Sequence, residues 1–279
     1  MVDEPRWVAE AREKYQGGIG SDYAPTSLGR TGFMQKVFLE RVLPQKGNLD
    51  ILLVGIGVGG YPFYCSYEPY VISALLEGQK KNYRMVIVDK DPRVVADIRK
   101  RRRIFVPNSN CDHEYLRGLW ESYLRNTGQE DTVVHEVMDD LDLASHIRNS
   151  KTFLGIYLKH GFRMAEIPTG FRNKLESGEL IIDNQDIALA ELSGMFDFTS
   201  IICVLYRLSE EGQKLALYNI ASHTRPGGII LANEQNDARI IPQRRGWLTE
   251  EKQADLGVKI DEVFGEKDDD SPGYVLVKQ

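Results

Sequence analysis

The chain has 279 residues, 42% hydrophobic and 27% charged, with a net charge of −6; it is long enough to bury a large core, and its acidic balance argues against general nucleic-acid binding. Its three separated cysteines, Cys65, Cys111 and Cys203, contain no CxxC pair, which argues against a disulfide framework or a zinc site and suggests reduced thiols in a cytoplasmic protein. No run approaches the roughly 18 apolar residues of a membrane span, and the start lacks the basic-then-apolar pattern of a signal peptide.

In chain order, a short helical stretch from Trp7 to Gln16 precedes a glycine-rich break, Gly17-Gly18-Ile19-Gly20-Ser21-Asp22. Phe33, Val37, Phe38 and Val42 recur at helical spacing, and Pro44 with Gly47-Asn48 ends that helix. An apolar strand, Leu52-Leu53-Val54, then runs into Gly55-Ile56-Gly57-Val58-Gly59-Gly60. A helix is expected over 67–77, with Pro69 tolerated in its first turn. Met85-Val86-Ile87-Val88 forms a second strand ending on Asp89, and Asp91 is placed to cap a helix from Pro92 to about Arg103.

Residues 104–178 show helical patches at 114–125 and 140–149 and no strand alternation, and they exceed a normal connection, so they read as a helical insertion. Leu180-Ile181-Ile182 is a third strand, followed by a helix from Ala188 to Leu192. Phe198 to Leu205 is a fourth strand, apolar enough to be buried on both faces. Ser209 caps a helix to His223, and Arg225-Pro226-Gly227-Gly228 turns into the strand Ile229–Ala232. A helix near 249–255 leads to a hairpin of strands at 258–264 and 273–278. The implied organisation is an N-terminal helical segment, 1–46, and an α/β domain, 47–279, interrupted at about 104–178.

A strand, a glycine turn, a helix and a strand ending in a carboxylate form the first half of a nucleotide-binding α/β domain. Glycine lets backbone approach a ligand, and Asp89 can accept from both hydroxyls of a ribose. Gly55, Gly57 and Gly60 formally satisfy GxGxxG, yet Asp89 lies twenty-nine residues past Gly60, further than in dinucleotide-binding units. A pyrophosphate also needs bare amides at a helix start, whereas here an aromatic loop, Tyr61 to Tyr67, leads to Glu68. A carboxylate at Glu68 repels a pyrophosphate and suits an ammonium group. S-adenosylmethionine carries that group and a ribose, with no phosphate.

The strand, helix, Pro-Gly-Gly and strand at 196–232, followed by the hairpin, resemble the second half of a class I methyltransferase. More narrowly, Glu68-Pro69-Tyr70 resembles the Glu-Pro-Tyr segment of the CheR family, the chemotaxis receptor glutamate methyltransferases. Asp89-Lys90-Asp91 is similar to that family's Asp-x-Asp after strand two, and Phe38-Leu39-Glu40-Arg41-Val42-Leu43-Pro44 to its link from a helical N-terminal domain. The resemblance covers roughly residues 30–100 and 165–279.

The resemblance implies a Rossmann-like class I methyltransferase sheet, mostly parallel, of seven strands with the last antiparallel. It implies S-adenosylmethionine as cofactor, with Gly55 and Gly57 under the methionine part and Glu68 at its amino group. Asp89 would hold the ribose, and Asp186 would face the adenine, with Asn184 as second choice. It also implies a protein substrate, chemoreceptor-like or other, methylated on a carboxylate. Where the family has an Arg-Asn pair in strand four, Ile202 and Cys203 stand here.

A carboxylate acceptor needs no base, whereas an amine or hydroxyl would want one. Tyr206 at the end of strand four is the candidate catalytic residue, with Asp197 at its start as the alternative. Tyr61, Tyr64 and Tyr67 can meet a sulfonium through their π faces. The five histidines show no metal-ligand spacing, so no metal site is expected. Two other readings stand beside this one. One is a degenerate methyltransferase domain acting as a non-catalytic binding module; the other is an NAD-dependent oxidoreductase.

Overall fold

A computed structural model of the chain describes residues 4–17, 34, 36–56, 68–100, 103–107, 162–202, 204–205, 208–233, 248–264 and 273–279. Helix α1 spans Arg6–Lys14, and a π-helical turn covers Phe38–Val42. There follow β1 (Leu49–Val54), α2 (Glu68–Gly78), β2 (Tyr83–Val88), α3 (Pro92–Lys100), β3 (Arg103–Pro107) and β4 (Phe162–Glu166). Next come α4 (Thr169–Ser177), β5 (Leu180–Asp183), β6 (Phe196–Ile201), α5 (Glu210–Ser222) and β7 (Thr224–Asn233). Helix α6 (Glu250–Leu256), β8 (Val258–Phe264) and β9 (Gly273–Lys278) complete the order.

Seven strands form one sheet in the order β5-β2-β1-β6-β7-β9-β8. The pairs from β5 through β7 are parallel, and β9 runs antiparallel to both β7 and β8. This is the Rossmann-like class I methyltransferase sheet that the resemblance implies, with its last strand antiparallel.

Strands β1, β2 and β6 share one burial pattern: the first residue and the last four are buried, and the second is half-exposed. Alternate side chains enter opposite faces of a sheet, and both faces here are covered, so the apolar runs are nearly continuous. On one face Ile51, Leu53, Met85, Ile87 and Phe198 pack with Phe38, Tyr70 and Phe171. On the other, Leu52, Val54, Val86, Val88 and Ile230 pack with Leu217 and Ile220 of α5.

The half-exposed second residues are Asp50, Arg84 and Asp197, and they meet at the N-terminal edge of the sheet. Arg84 Nε donates to Asp50 Oδ1 at 2.7 Å, and Arg225 bridges Asp50 Oδ2 at 2.5 Å and Asp197 Oδ2 at 2.6 Å. The Asp50 amide also donates to Asp197 Oδ2 at 2.7 Å. Two carboxylates thus sit between two guanidiniums. Asp197, the alternative catalytic candidate, is therefore committed to this clasp, on the edge opposite the ends of the strands where α/β sheets bind ligands.

Three further expectations are corrected. The helix expected from Ala188 to Leu192 is a single turn, closed by the Leu189 amide on the Asp186 carbonyl at 2.9 Å. Asn219 of α5 donates to the Ile187 and Ala190 carbonyls at 3.0 and 2.7 Å, which takes the acceptors a continuing helix would use. Strand β6 ends at Ile201, not Leu205, because its pairing with β1 stops at Leu53↔Ser200 and with β7 at Ile201↔Ala232. The segment 104–178, expected to hold no strands, contributes to a two-stranded antiparallel ribbon, β3 on β4, running from Arg103↔Glu166 to Pro107↔Phe162. Arg103, expected at the end of α3, is instead the first residue of that ribbon. The patches 114–125 and 140–149 lie outside the described residues.

Helix α4 leads into β5 and is capped in trans. Its own N-cap, Pro168, makes no side-chain cap bond, and Glu77 of α2 accepts from the Gly170 and Phe171 amides, both at 3.1 Å. A Cβ on Gly170 would lie 2.5 Å from the Glu77 carboxyl carbon, so glycine is what lets the cap close.

Burial opposes ionisation of Asp50, but the hydrogen bonds and charges of Arg225 and Arg84 outweigh it and hold the carboxyl below its ordinary range. The folded chain therefore binds fewer protons at Asp50 than the unfolded one. The stabilisation is present above the unfolded pKa of about 3.9 and is lost as pH falls through the folded value. Asp50→Asn is expected to cost about 1–2 kcal/mol near neutral pH, since these groups remain partly exposed. It should also flatten the acid limb of the stability curve, as measured by urea unfolding between about pH 7 and pH 3.

Candidate functional site

The C-terminal ends of β1, β2 and β5 converge because their registers place Val54 opposite Val88 and Val88 opposite Asp183. One residue further on, the Gly55 amide donates to the Val88 carbonyl at 2.8 Å, and the Asp89 amide donates to the Asp183 carbonyl at 3.0 Å. Gly55, the first residue of the glycine turn, and Asp89, the residue after β2, are thus adjacent.

Gly55 adopts a left-handed conformation with φ +62. A Cβ there would stand 2.2 Å from Val204 Cγ2 in the turn after β6. The position excludes a side chain both by its backbone angle and by the space around it.

Asp89 is 7% exposed. Its Oδ1 accepts from the Asp91 amide at 2.9 Å, an Asx-turn that orients the carboxylate at the sheet edge. Asn184 donates its side-chain amide to the Asp89 carbonyl at 2.9 Å. Asn184, the second choice for the adenine, therefore works as a tie between the loop after β5 and Asp89.

Asp186 lies in that same loop, three residues past the end of β5. Its Oδ1 accepts from the Ala188 amide at 3.1 Å, a second Asx-turn, and its Oδ2 accepts from the Tyr15 hydroxyl at 2.7 Å. Burial, with the Asp186 hydrogen bond and charge adding to it, pushes the Tyr15 phenol well above its ordinary range. It is protonated and acts as the donor. Nothing in the sequence around Tyr15 marks it as a site residue; a tyrosine one residue past a helix carries no local sign of a partner 171 positions away.

Glu68 opens α2, and its side chain lies outside the described residues. Gly57 and Tyr206 also lie outside them, as do Tyr61, Tyr64, Tyr67 and Cys203. Ile202 is 3% exposed and packs in the core cluster with Phe198 and Ile56. Among the described residues, no helix is long and apolar enough to cross a membrane, and no cluster of His, Cys, Asp or Glu is placed to hold a metal.

No protein-family model matches the chain, and no curated protein matches it. Solved structures do match. The N-methyltransferase NodS from Bradyrhizobium japonicum, in complex with S-adenosylhomocysteine, is similar at 12% identity and a TM-score of 0.42, covering 98% of this chain and 99% of that one. Magnesium protoporphyrin IX methyltransferase from Synechocystis, with the same molecule bound, is similar at 12% identity and a TM-score of 0.43, covering 97% and 94%. A TehB-like methyltransferase from Corynebacterium glutamicum is similar at 13% identity and a TM-score of 0.41, covering 98% and 95%. Likenesses at this level assign neither an acceptor nor a residue's role. Nothing in these three points to the chemoreceptor enzymes in particular, so that narrower resemblance rests on the sequence segments alone.

Gly55→Ala must strain a left-handed backbone and push the Val204 turn aside. It is expected to lower stability by roughly 1–3 kcal/mol, read as a shift in the denaturant midpoint. An unchanged midpoint would show that the turn relaxes without cost.

Proposed function

We propose that this chain is an S-adenosylmethionine-dependent methyltransferase acting on a protein carboxylate, as in glutamate O-methylation. The cofactor half rests chiefly on Asp89. It is a nearly buried carboxylate at the C-terminal end of β2, beside the left-handed turn at Gly55. That placement suits two ribose hydroxyls as donors. On this reading Gly55 and Gly57 run beneath the methionine part, Glu68 meets its amino group and Asp186 faces the adenine.

When bound, S-adenosylmethionine supplies an electrophilic methyl group, so the protein's task is to orient the acceptor and exclude water. The described residues just past β6, namely Ile202, Val204 and Leu205, are apolar and offer no base. A carboxylate acceptor is already ionised at neutral pH and is the acceptor that tolerates this best. Tyr206 is the residue assigned to orient it. The same apolar run favours a second reading, a cofactor-binding module without catalysis. An NAD-dependent oxidoreductase is the third, disfavoured by the spacing from the glycine turn to Asp89.

Calorimetric titration with S-adenosylhomocysteine, with NAD as control, tests the cofactor. Binding of the first alone supports the reading, and binding of NAD alone overturns it. Asp89→Asn is expected to weaken S-adenosylhomocysteine by about 10–100-fold, the scale of hydrogen bonds to a charged group. Labelled methyl transfer to protein, released as methanol by mild base, tests the acceptor. Base-stable label would exclude a carboxylate, and cofactor binding without transfer to any protein offered would favour the module.

A further inference from the structure

Helix α1 lies across α5, with Val8 and Ala11 buried against Leu215 and against Ala188 of the loop after β5. It is tied at both ends by side chains. At its start, Trp7 Nε1 donates to Asp255 Oδ2 of α6 at 2.6 Å. Just past its end, the Tyr15 hydroxyl donates to Asp186 Oδ2 at 2.7 Å. The Tyr15 ring sits close against α5: a Cβ on Gly212 would approach Tyr15 Cε2 to 2.7 Å. The hydroxyl is thereby held by packing as well as by its hydrogen bond.

The loop that carries Asp186 has two other anchors. Asn219 of α5 holds the Ile187 and Ala190 carbonyls, and Asn184 reaches the Asp89 carbonyl. These fix the loop's backbone. The direction of the Asp186 carboxylate is set by the Ala188 amide on one oxygen and by Tyr15 on the other. An ionised carboxylate has about four acceptor positions, so these two donors orient it without exhausting it.

Resting on the S-adenosylmethionine reading, we propose that Tyr15 is a positioning residue for base recognition: its hydroxyl aims Asp186 at the exocyclic amine of the adenine, and so makes the N-terminal helix part of the cofactor site. The amine is a donor and the carboxylate an acceptor. An analogue with a carbonyl oxygen at that position presents two acceptors to each other and is rejected. Tyr15→Phe leaves the ring and its packing in place and removes only the donor, so the carboxylate loses one of its two constraints. Base discrimination then falls, while contacts at Asp89 and the glycine turn persist.

The test compares S-adenosylhomocysteine with S-inosylhomocysteine, which differs by the 6-oxo group, by calorimetric titration of the full chain. Wild type is expected to prefer the first by roughly tenfold or more, and Tyr15→Phe to reduce that preference to about threefold or less. Trp7→Phe loosens α1 at its other end but keeps the Tyr15 hydroxyl, and it should retain the wild-type preference. Asp186→Asn should abolish the preference with Tyr15 intact. If Tyr15→Phe weakens both molecules equally, or neither, the proposal is overturned and Tyr15 is a packing residue. If Trp7→Phe loses the preference as Tyr15→Phe does, general loosening of α1 is the cause and the proposal is again overturned. If wild type binds S-adenosylhomocysteine without base preference, the cofactor reading stands and this one falls. If it binds neither molecule, both fall together.

Discussion

The arrangement of this molecule depends on the register between β1 and its neighbours. A one-residue slip would turn every core side chain of β1 to the wrong face. Apolar contacts alone discriminate weakly here, because β1, β2 and β6 are apolar on both faces. The charged second residues supply the discrimination. Asp50 is opposite Arg84 in the β1–β2 ladder, and Arg225 of β7 closes across Asp50 and Asp197. A slipped strand would move Asp50 away from both guanidiniums and leave carboxylates without their partners at a partly buried edge, a far larger penalty than the pairs' modest net contribution. The clasp contributes more to specificity than to stability.

The opposite edge inherits its geometry from that register. With Val54 opposite Val88 and Val88 opposite Asp183, Gly55, Asp89 and the loop after β5 must emerge side by side. The carboxylates at the two edges are held differently. At the N-terminal edge they are neutralised by arginines. At the C-terminal edge Asp89 and Asp186 each accept from the amide two residues ahead, which orients the carboxylate. A carboxylate oriented in this way is what recognition of a ligand's donors requires.

The strands were legible because a parallel sheet covered on both faces writes itself as dense apolar runs between glycine and proline signals. The cap at Ser209 was legible for a similarly local reason, and its Oγ accepts from the Gly212 amide at 3.2 Å. Where the structure departs from the local sequence signals, the deciding group is distant in sequence. Asn219 turns the expected helix after β5 into a single turn, and the ladder partners of β6 end that strand four residues early. The β3–β4 ribbon pairs segments more than fifty residues apart, and neither strand alternates clearly enough to announce itself. In the candidate site, Gly55 and Asp89 could be found from their neighbours in the chain. Tyr15 could not, since its meaning is carried wholly by its partner.

The loop after β5 is where the sheet edge and the N-terminal helix meet. It receives Asn219 from α5, Tyr15 after α1 and the Asp89 carbonyl through Asn184, so three separate parts of the chain converge on seven residues, 184–190. Regular structure would satisfy its backbone more cheaply, yet a helix starting at Asp186 would bury that carboxylate's role in its own cap. The single turn instead presents Asp186 beside the edge that Gly55 and Asp89 define. An irregular loop braced from outside is stable only while its braces are in place. The N-terminal helix, remote in sequence from the glycine turn, therefore belongs to the same physical unit as the site.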